Sequence, residues 1–481
     1  MPRIRPVSIL TSNGSGRHMA STENGAAPIS TESRVDQVVV APTLLDAART
    51  IVRGPSLNRT KTAGYDIKAG ERVLLVEKAT DDPAVTAALV EAMTELDASV
   101  DIFHVDVADR ALDPLDEFRG MMHNVPGIER DVAFDAWQGR LKWLEDAAVK
   151  QGYSLLLQGE GGPLPVLDGT RYEGIPWYHR ATFPAAGFPW PLWDRINETA
   201  WKPIWEHGRG ANVHLTDPEG TDLRFELKAE HWTAEHYERT NSRRRFVDKY
   251  YLGHLYGYPT PPYNPMPTVN GVVAGTLNHY GKPFQHCTLT VEDGQVTRID
   301  GGGEYGEKWR EVLHETRNIQ YPEHPGPGLF WLWEAAIGTH PKMVRPPYAF
   351  SLAGHAAMFE RLSSGYMHMG FGTANGNPSE AWAEERGITW GHLHIHLQLP
   401  TYVLTSTAGE DFTVVEEGRL SALSDPGVVE LAEQLGNPEE LLQKAWTPPL
   451  PGVNEPGDYW ADYAHDPATW LDNHAAKLRA G

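Results

Sequence analysis

The chain of 481 residues has a single cysteine, Cys287, which excludes an internal disulfide and fits a reducing cytoplasm. It is short of positive charge: 42 Lys and Arg face 64 Asp and Glu, a formal net charge of −22. So acidic a surface repels a phosphate backbone, and neither a nucleic-acid nor a membrane partner is expected. Long hydrophobic runs are missing as well. The cleanest, Val73–Val76 and Leu155–Leu157, have the length of core strands and fall far short of the roughly 20 residues of a membrane span. No Ser stands in a Gly-x-Ser-x-Gly elbow. Neither Gly159–Glu160–Gly161–Gly162 nor Gly301–Gly302–Gly303 has the spacing of a phosphate loop, and the second lacks an evident helix behind it. Both read as turns. What remains is an acidic, cytoplasmic, globular protein.

Two residue types are abundant, with 21 His and 16 Trp. Residues 1–33 are rich in Ser, Gly, Asn and Arg and show no hydrophobic period. Gly16–Arg17–His18–Met19–Ala20–Ser21 looks like a cloning junction, so this segment reads as a disordered tail or cloning remnant. Over 34–209 strand and helix patterns alternate. Thr43 can cap a helix carrying Leu44, Leu45, Ala48, Ile51 and Val52, and Arg72–Val76 is a short buried strand. Asp82–Pro83 starts a second helix, Ser99–Val107 alternates as a strand, and a helix over 132–149 leads to the strand Tyr153–Gln158. That order predicts an α/β N-terminal domain with a parallel sheet.

Residues 210–417 predict an α+β, β-rich catalytic domain. Asn212–Thr216 and Thr221–Leu227 form a hairpin around Asp217–Pro218–Glu219–Gly220, whose acids a turn explains. Thr268–Leu277, Thr288–Glu292 and Gln295–Ile299 add strands, with helices near Trp309–Glu315 and Leu329–Ala336. The last segment, 418–481, is a Pro-containing extension with short helices, which Trp446, Trp460 and Trp470 can dock.

The strongest chemical signal is Trp390–Gly391–His392–Leu393–His394–Ile395–His396–Leu397. Strict alternation puts three imidazoles on one face of a strand and Leu393, Ile395 and Leu397 on the other. Neighbours on one face lie about 6.6 Å apart, so at most two of the three can share an ion. Three further stretches could contribute: His368 in Gly365–Gly372, Glu334 in an apolar segment that ends at His340, and His254 in a Gly/Pro-rich loop.

The order of these motifs resembles the aminopeptidase T family of metallopeptidases over roughly residues 40 to 415. Gly70–Val76 resembles the start of its first strand, and Val213–Leu223 its hairpin ending in Gly-Thr-Asp-Leu. Glu334 before Ile337–Gly338–Thr339 resembles its metal-binding Glu, Gly365–His368–Gly372 its Gly-x-x-His-x-x-x-Gly, and His394–Ile395–His396 its His-x-Asp. The resemblance implies an α/β domain, a β-rich metal-binding domain and a homodimer. Three positions depart from it. His254 stands where the family has a Gly-Gly-Glu loop, His396 replaces the Asp, and His340 replaces an Asn. Neutral imidazoles in place of carboxylates leave two closely spaced dications poorly compensated, whereas His254, Glu334, His368, His394 and His396 suit one borderline transition metal.

That set is similar in plan to the 2,5-dihydroxypyridine dioxygenase branch of the same superfamily, which carries one Fe(II). The reading is a non-haem Fe(II) oxygenase for a small aromatic or heteroaromatic metabolite, with O₂ as co-substrate. His368, His394 and His396 hold the iron, and Glu334 or His254 completes or supports the set. Tyr250, Tyr251, Tyr256 and Tyr258 near His254, with Trp331 and Trp333 before Glu334, give an aromatic setting in which Tyr256, His254 and Glu334 are candidate catalytic groups. The alternatives are a zinc-, cobalt- or manganese-dependent aminopeptidase or amide hydrolase with Glu334 as general base, and a non-catalytic relative.

Overall fold

A computed structural model describes residues 42–56, 64–78, 81–105, 113, 115–129, 142–159, 169–175, 178–232, 253–258, 268–343, 362–373 and 378–480. Residues 1–33, Glu160–Gly162, Tyr250 and Tyr251 lie outside them. In chain order the first strands are β1 (Arg72–Lys78), β2 (Ser99–Val105), β3 (Met122–His123), β4 (Leu155–Gln158) and β5 (Arg171–Gly174). Next come β6 (Ala211–Asp217), β7 (Thr221–Leu227), β8 (His254–Tyr258), β9 (Asn270–Leu277), β10 (Pro283–Glu292) and β11 (Gln295–Gly301). The last are β12 (Leu332–Gly338), β13 (Met367–Gly372), β14 (Trp390–Leu397), β15 (Thr401–Thr405), β16 (Asp411–Glu416) and β17 (Arg419–Leu420). The chain divides into two compact units, 1–109 with 131–187, and 110–130 with 188–481.

The first unit is α/β. Its sheet has the order β2-β1-β4-β5, with every pair parallel. The β1 strand is central and buried on both faces, as its run of Val and Leu requires. Asp82 caps the helix Pro83–Thr94 by accepting from the Ala84 N–H, with Pro83 in the first turn. Helix Pro42–Arg53 buries Leu44, Ala48, Ile51 and Val52, and Thr43 lies inside its first turn rather than capping it. One face of the sheet packs Leu74, Val76, Phe103 and Leu156 against Leu144 and Ala148 of the helix over 142–150.

The second unit holds two antiparallel sheets, an eight-stranded one in the order β11-β10-β9-β7-β6-β15-β16-β17 and a five-stranded one in the order β3-β14-β13-β12-β8. The β6–β7 hairpin alternates buried and exposed residues along both strands. Leu329–Ala336, expected as helical, is instead largely the strand β12. A short apolar run cannot by its own pattern choose between buried helix and buried strand, and here β13 and β8 pair with it on both sides. Gly301–Gly303 also differs from expectation, because the helix Gly303–Thr316 follows it directly. Its first turn carries Gly303 and Gly306 and no apolar period, so the helical pattern becomes visible only near Trp309.

The extension docks through polar as well as apolar contacts. Leu450, Tyr463 and Leu471 pack with Leu277 and Leu399, Trp470 donates to the Pro449 carbonyl, and Trp446 stacks on Tyr366. Trp460 stays largely exposed. The Asp217–Gly220 turn proves to be more than a connection. Buried Glu219 accepts from Thr276, Gln398 and, in the extension, the Tyr459 hydroxyl at 2.9 Å, while Asp217 accepts from the Leu399 N–H at 2.9 Å.

Burial, then the neighbouring Glu219, pushes Asp217 up to about 8, and burial raises Glu219 as well. Protons therefore bind these acids more tightly in the folded chain than in the unfolded one, where Asp titrates near 3.9. The stability this contributes is fully present below the unfolded value and is lost as pH rises towards 8. Stability against unfolding is thus expected to fall between about pH 4 and 8 by on the order of 1–3 kcal/mol. Asp217→Asn, a mimic of the protonated acid, should flatten that profile in a calorimetric pH series. A slope unchanged by the substitution would refute the assignment.

Candidate metal centre

The five-stranded sheet carries the site. Glu334 on β12 lies opposite Gly370 on β13, which in turn lies opposite His394 on β14. One step along, Ala336 faces His368, which faces His396, and Gly338 faces His254 on β8. Because side chains alternate, these even-numbered positions present one face, while Leu393, Ile395 and Leu397 fill the core behind. A register shift between Leu332 and Glu334 inserts Trp333 as an extra residue, and its ring reaches the same face, edge-on to His392 and His394.

The position of His254 is fixed from outside the sheet. Asn197, buried in the helix Trp190–His207, accepts from the Gly253 N–H at 3.0 Å and from the Thr339 hydroxyl at 2.8 Å. One side chain thereby holds the start of β8 and the end of β12. Gly253 has φ +88°, and a Cβ there would lie 2.5 Å from the Trp193 ring, so only glycine fits before His254.

Among the described residues, His254, Glu334 and His368 bring three ligand atoms within 4.8 Å of one another, all buried. The His254 and His368 Nε2 atoms are 3.2 Å apart. Glu334 Oε1 is 3.4 Å from His254 Nε2, and Oε2 is 2.8 Å from His368 Nε2. Two ligands bonded at about 2.1 Å to one tetrahedral or octahedral ion are separated by roughly 3.0–3.4 Å. The separations of 3.2 and 3.4 Å fall in that range and the 2.8 Å contact lies just under it, so the donor set suits a single divalent transition metal. His394 Nε2 stands 3.6 Å from Glu334 Oε2, next to the three. The His394 and His396 ring centroids lie 5.4 Å and 5.8 Å from that of His368. Tyr256 lies edge-on to His254 at 5.0 Å, and His340 is held by the Phe188 and Trp193 rings.

Electrostatics follow from this packing. Burial alone would raise the Glu334 carboxyl, but the imidazoles of His368, His394 and His254 hold it well below the usual carboxylate range. The carboxyl is therefore anionic. Burial, reinforced by His394, pushes His392 down to about 3, so that ring is neutral. Burial disfavours charge on His394, but Glu117 and Glu334 outweigh it and raise the ring's value.

Two participants escape a reading of the sequence. His279, in the turn after β9, stacks on His394 with ring centroids 4.0 Å apart. Glu117, in the short helix Asp116–Met121, is fully buried and meets His394 from the far side of the sheet's polar cluster. Neither stands in a motif. Only the surplus of imidazoles could have hinted at the first, and nothing signals the second.

A buried group of two imidazoles and one carboxylate on an antiparallel sheet, in a chain with a separate α/β unit, is the class of site the structure defines: a candidate mononuclear metal centre. No protein-family model and no curated relative matches the chain. Among solved structures it is similar to 2,5-dihydroxypyridine dioxygenase from Pseudomonas putida, at 14% identity and a TM-score of 0.41, over 79% of this chain and 97% of that one. It is also similar to AmpT from Thermus thermophilus, at 16% identity and a TM-score of 0.43, over 79% of this chain and 99% of that one. Among the described residues, no helix is long and apolar enough to cross a membrane.

Proposed function

We propose that the chain is a mononuclear non-haem Fe(II) oxygenase acting on a small aromatic or heteroaromatic metabolite with O₂. The observation that carries this reading is the buried His254–Glu334–His368 group, two imidazole nitrogens and one carboxylate converging within 4.8 Å. Such a set leaves coordination positions open for substrate and O₂. Bound iron would supply the one-electron and O₂ chemistry. The chain's own part is to bind and to orient. Glu334 supplies the negative charge, His254 and His368 supply nitrogen donors, and the strands behind them keep bulk water away. Tyr256 and Trp333 offer apolar edges on the same face, against which a flat ring can be held.

Elemental analysis of protein purified without oxygen tests this. Iron near one per chain, with O₂ uptake after Fe(II) reconstitution in the presence of hydroxylated aromatic or pyridine compounds, is expected. Stoichiometric zinc without iron, and no O₂ uptake after reconstitution, would sink it.

One observation favours a second reading. The third imidazole, His394, stands 3.6 Å from Glu334, so three His could hold zinc, cobalt or manganese while Glu334 acts as general base. Turnover of an aminoacyl anilide, abolished by chelator and restored by one of those metals, would select this metallohydrolase over the oxygenase.

A further inference from the structure

His254 stands on the last rung of a ladder. It is the first residue of β8, the outermost described strand on its side of the five-stranded sheet, and it lies opposite Gly338, the last residue of β12. The next pair outward, Gly253 and Thr339, is held by a side chain of the helix Trp190–His207 instead. Asn197 Oδ1 accepts the Gly253 N–H at 3.0 Å and the Thr339 hydroxyl at 2.8 Å. Thr339 accepts in turn from the Trp193 indole N–H at 3.0 Å, and Asn197 Nδ2 donates to the Trp193 carbonyl one turn back in the helix. Asn197 and Thr339 are fully buried. The roles in this chain are set by groups that cannot exchange donor for acceptor. A backbone N–H and an indole N–H only donate, which makes the Asn197 oxygen the shared acceptor and directs the Thr339 proton to it.

We infer that Asn197 is the positioning residue of His254: it extends the β8–β12 ladder by one rung past the last paired residues and so fixes His254 at its distance from Glu334. The inference rests on the metal-centre reading above. The end of a strand pair opens more readily than its interior, and a ligand set works only where its side chains are kept within about 0.5 Å of the productive geometry. Glu334 and His368 lie on strands paired along both edges. Of the three, His254 is the one whose strand has a single neighbour among the described residues, and it sits at that strand's end. Without the anchor, binding an ion would also have to order the start of β8, and affinity would fall by that cost. Asn197 is not itself a ligand; it acts through the main chain of Gly253.

Cobalt(II) is the probe, because its visible absorption reports the ligand field and its titration gives affinity without any substrate. Asn197→Leu keeps the volume and removes the shared acceptor. It is expected to melt lower than the parent and, while folded, to bind Co(II) about 10–100-fold more weakly with an altered visible spectrum. Thr339→Val leaves the Gly253 N–H on Asn197 but cuts the tie to β12, so it should weaken binding in the same direction but less. Thr339→Ser restores the hydroxyl and should bind as the parent does. If Asn197→Leu does not fold, the two Thr339 variants carry the test. A lowered melting temperature with parental Co(II) affinity and spectrum would make the network purely structural and overturn the role of Asn197 alone. An equal loss of affinity in Thr339→Ser and Thr339→Val would overturn it too. A parent chain that takes up no Co(II), Zn(II) or Fe(II) overturns the metal centre and this inference together.

Discussion

Glu334→Gln is expected to leave the purified protein without stoichiometric metal, with affinity for Fe(II) or Co(II) lowered by at least about 100-fold, roughly 3 kcal/mol. The reason lies in the composition of the group. Glu334 is the one carboxylate beside the two imidazoles of the group, and both its oxygens are engaged, Oε1 towards His254 and Oε2 towards His368 and His394. Glutamine keeps the volume and one acceptor but removes the charge. It also turns an amide N–H₂ towards one of the ring nitrogens, where a lone pair is needed for the ion. The fold should tolerate the change, since β12 remains paired on both edges. Circular dichroism and a melting curve alongside the metal titration separate the two effects. A folded variant that retains one metal per chain would show that Glu334 is not a ligand.

How much of this was legible in the sequence differs between the fold and the site. The α/β region was readable because its elements are local. Asp82–Pro83 caps a helix by its own chemistry, and the short Val73–Val76 run, too brief for a helix of its own and set behind the Gly70–Glu71 turn, reads as a buried strand. The β6–β7 hairpin was equally plain from its alternation and turn. Glu334 stood out as a carboxylate in an apolar segment and is buried, but on a strand rather than the expected helix, because the hydrogen bonds that make β12 a strand come from residues 30 or more positions away in β13 and about 80 away in β8. The three-His strand was found from its period. Period alone could not show that His394 would stand beside Glu334 while His396 stood opposite His368, since cross-strand register is a tertiary fact. Glu117 and His279 were invisible for the same reason. Each is an ordinary polar residue in a short connecting segment, and its meaning is created by what packs against it.

That dependence on register can be tested by adding one carbon. Gly370 sits in the row between Glu334 and His394, and its missing side chain is what lets those two groups meet above the strand. A Cβ at this position would lie 2.9 Å from His394 Nε2 and 3.0–3.1 Å from the Trp333 indole. Real Cβ atoms do not tolerate such an approach, so with Gly370→Ala both rings must shift. His394 has little freedom to do so, being stacked on His279 and faced by Glu117. The substitution removes no ligand and leaves His254, Glu334 and His368 chemically intact. Overpacking of this kind costs about 1–3 kcal/mol, and we expect much of it to appear as metal affinity reduced about tenfold or more rather than as lost folding stability. Titration with Co(II) beside a melting curve reads both quantities. If Gly370→Ala binds metal as the parent does, the three-residue group suffices and His394 is a neighbour of the centre; if affinity falls while the fold persists, His394 belongs to it.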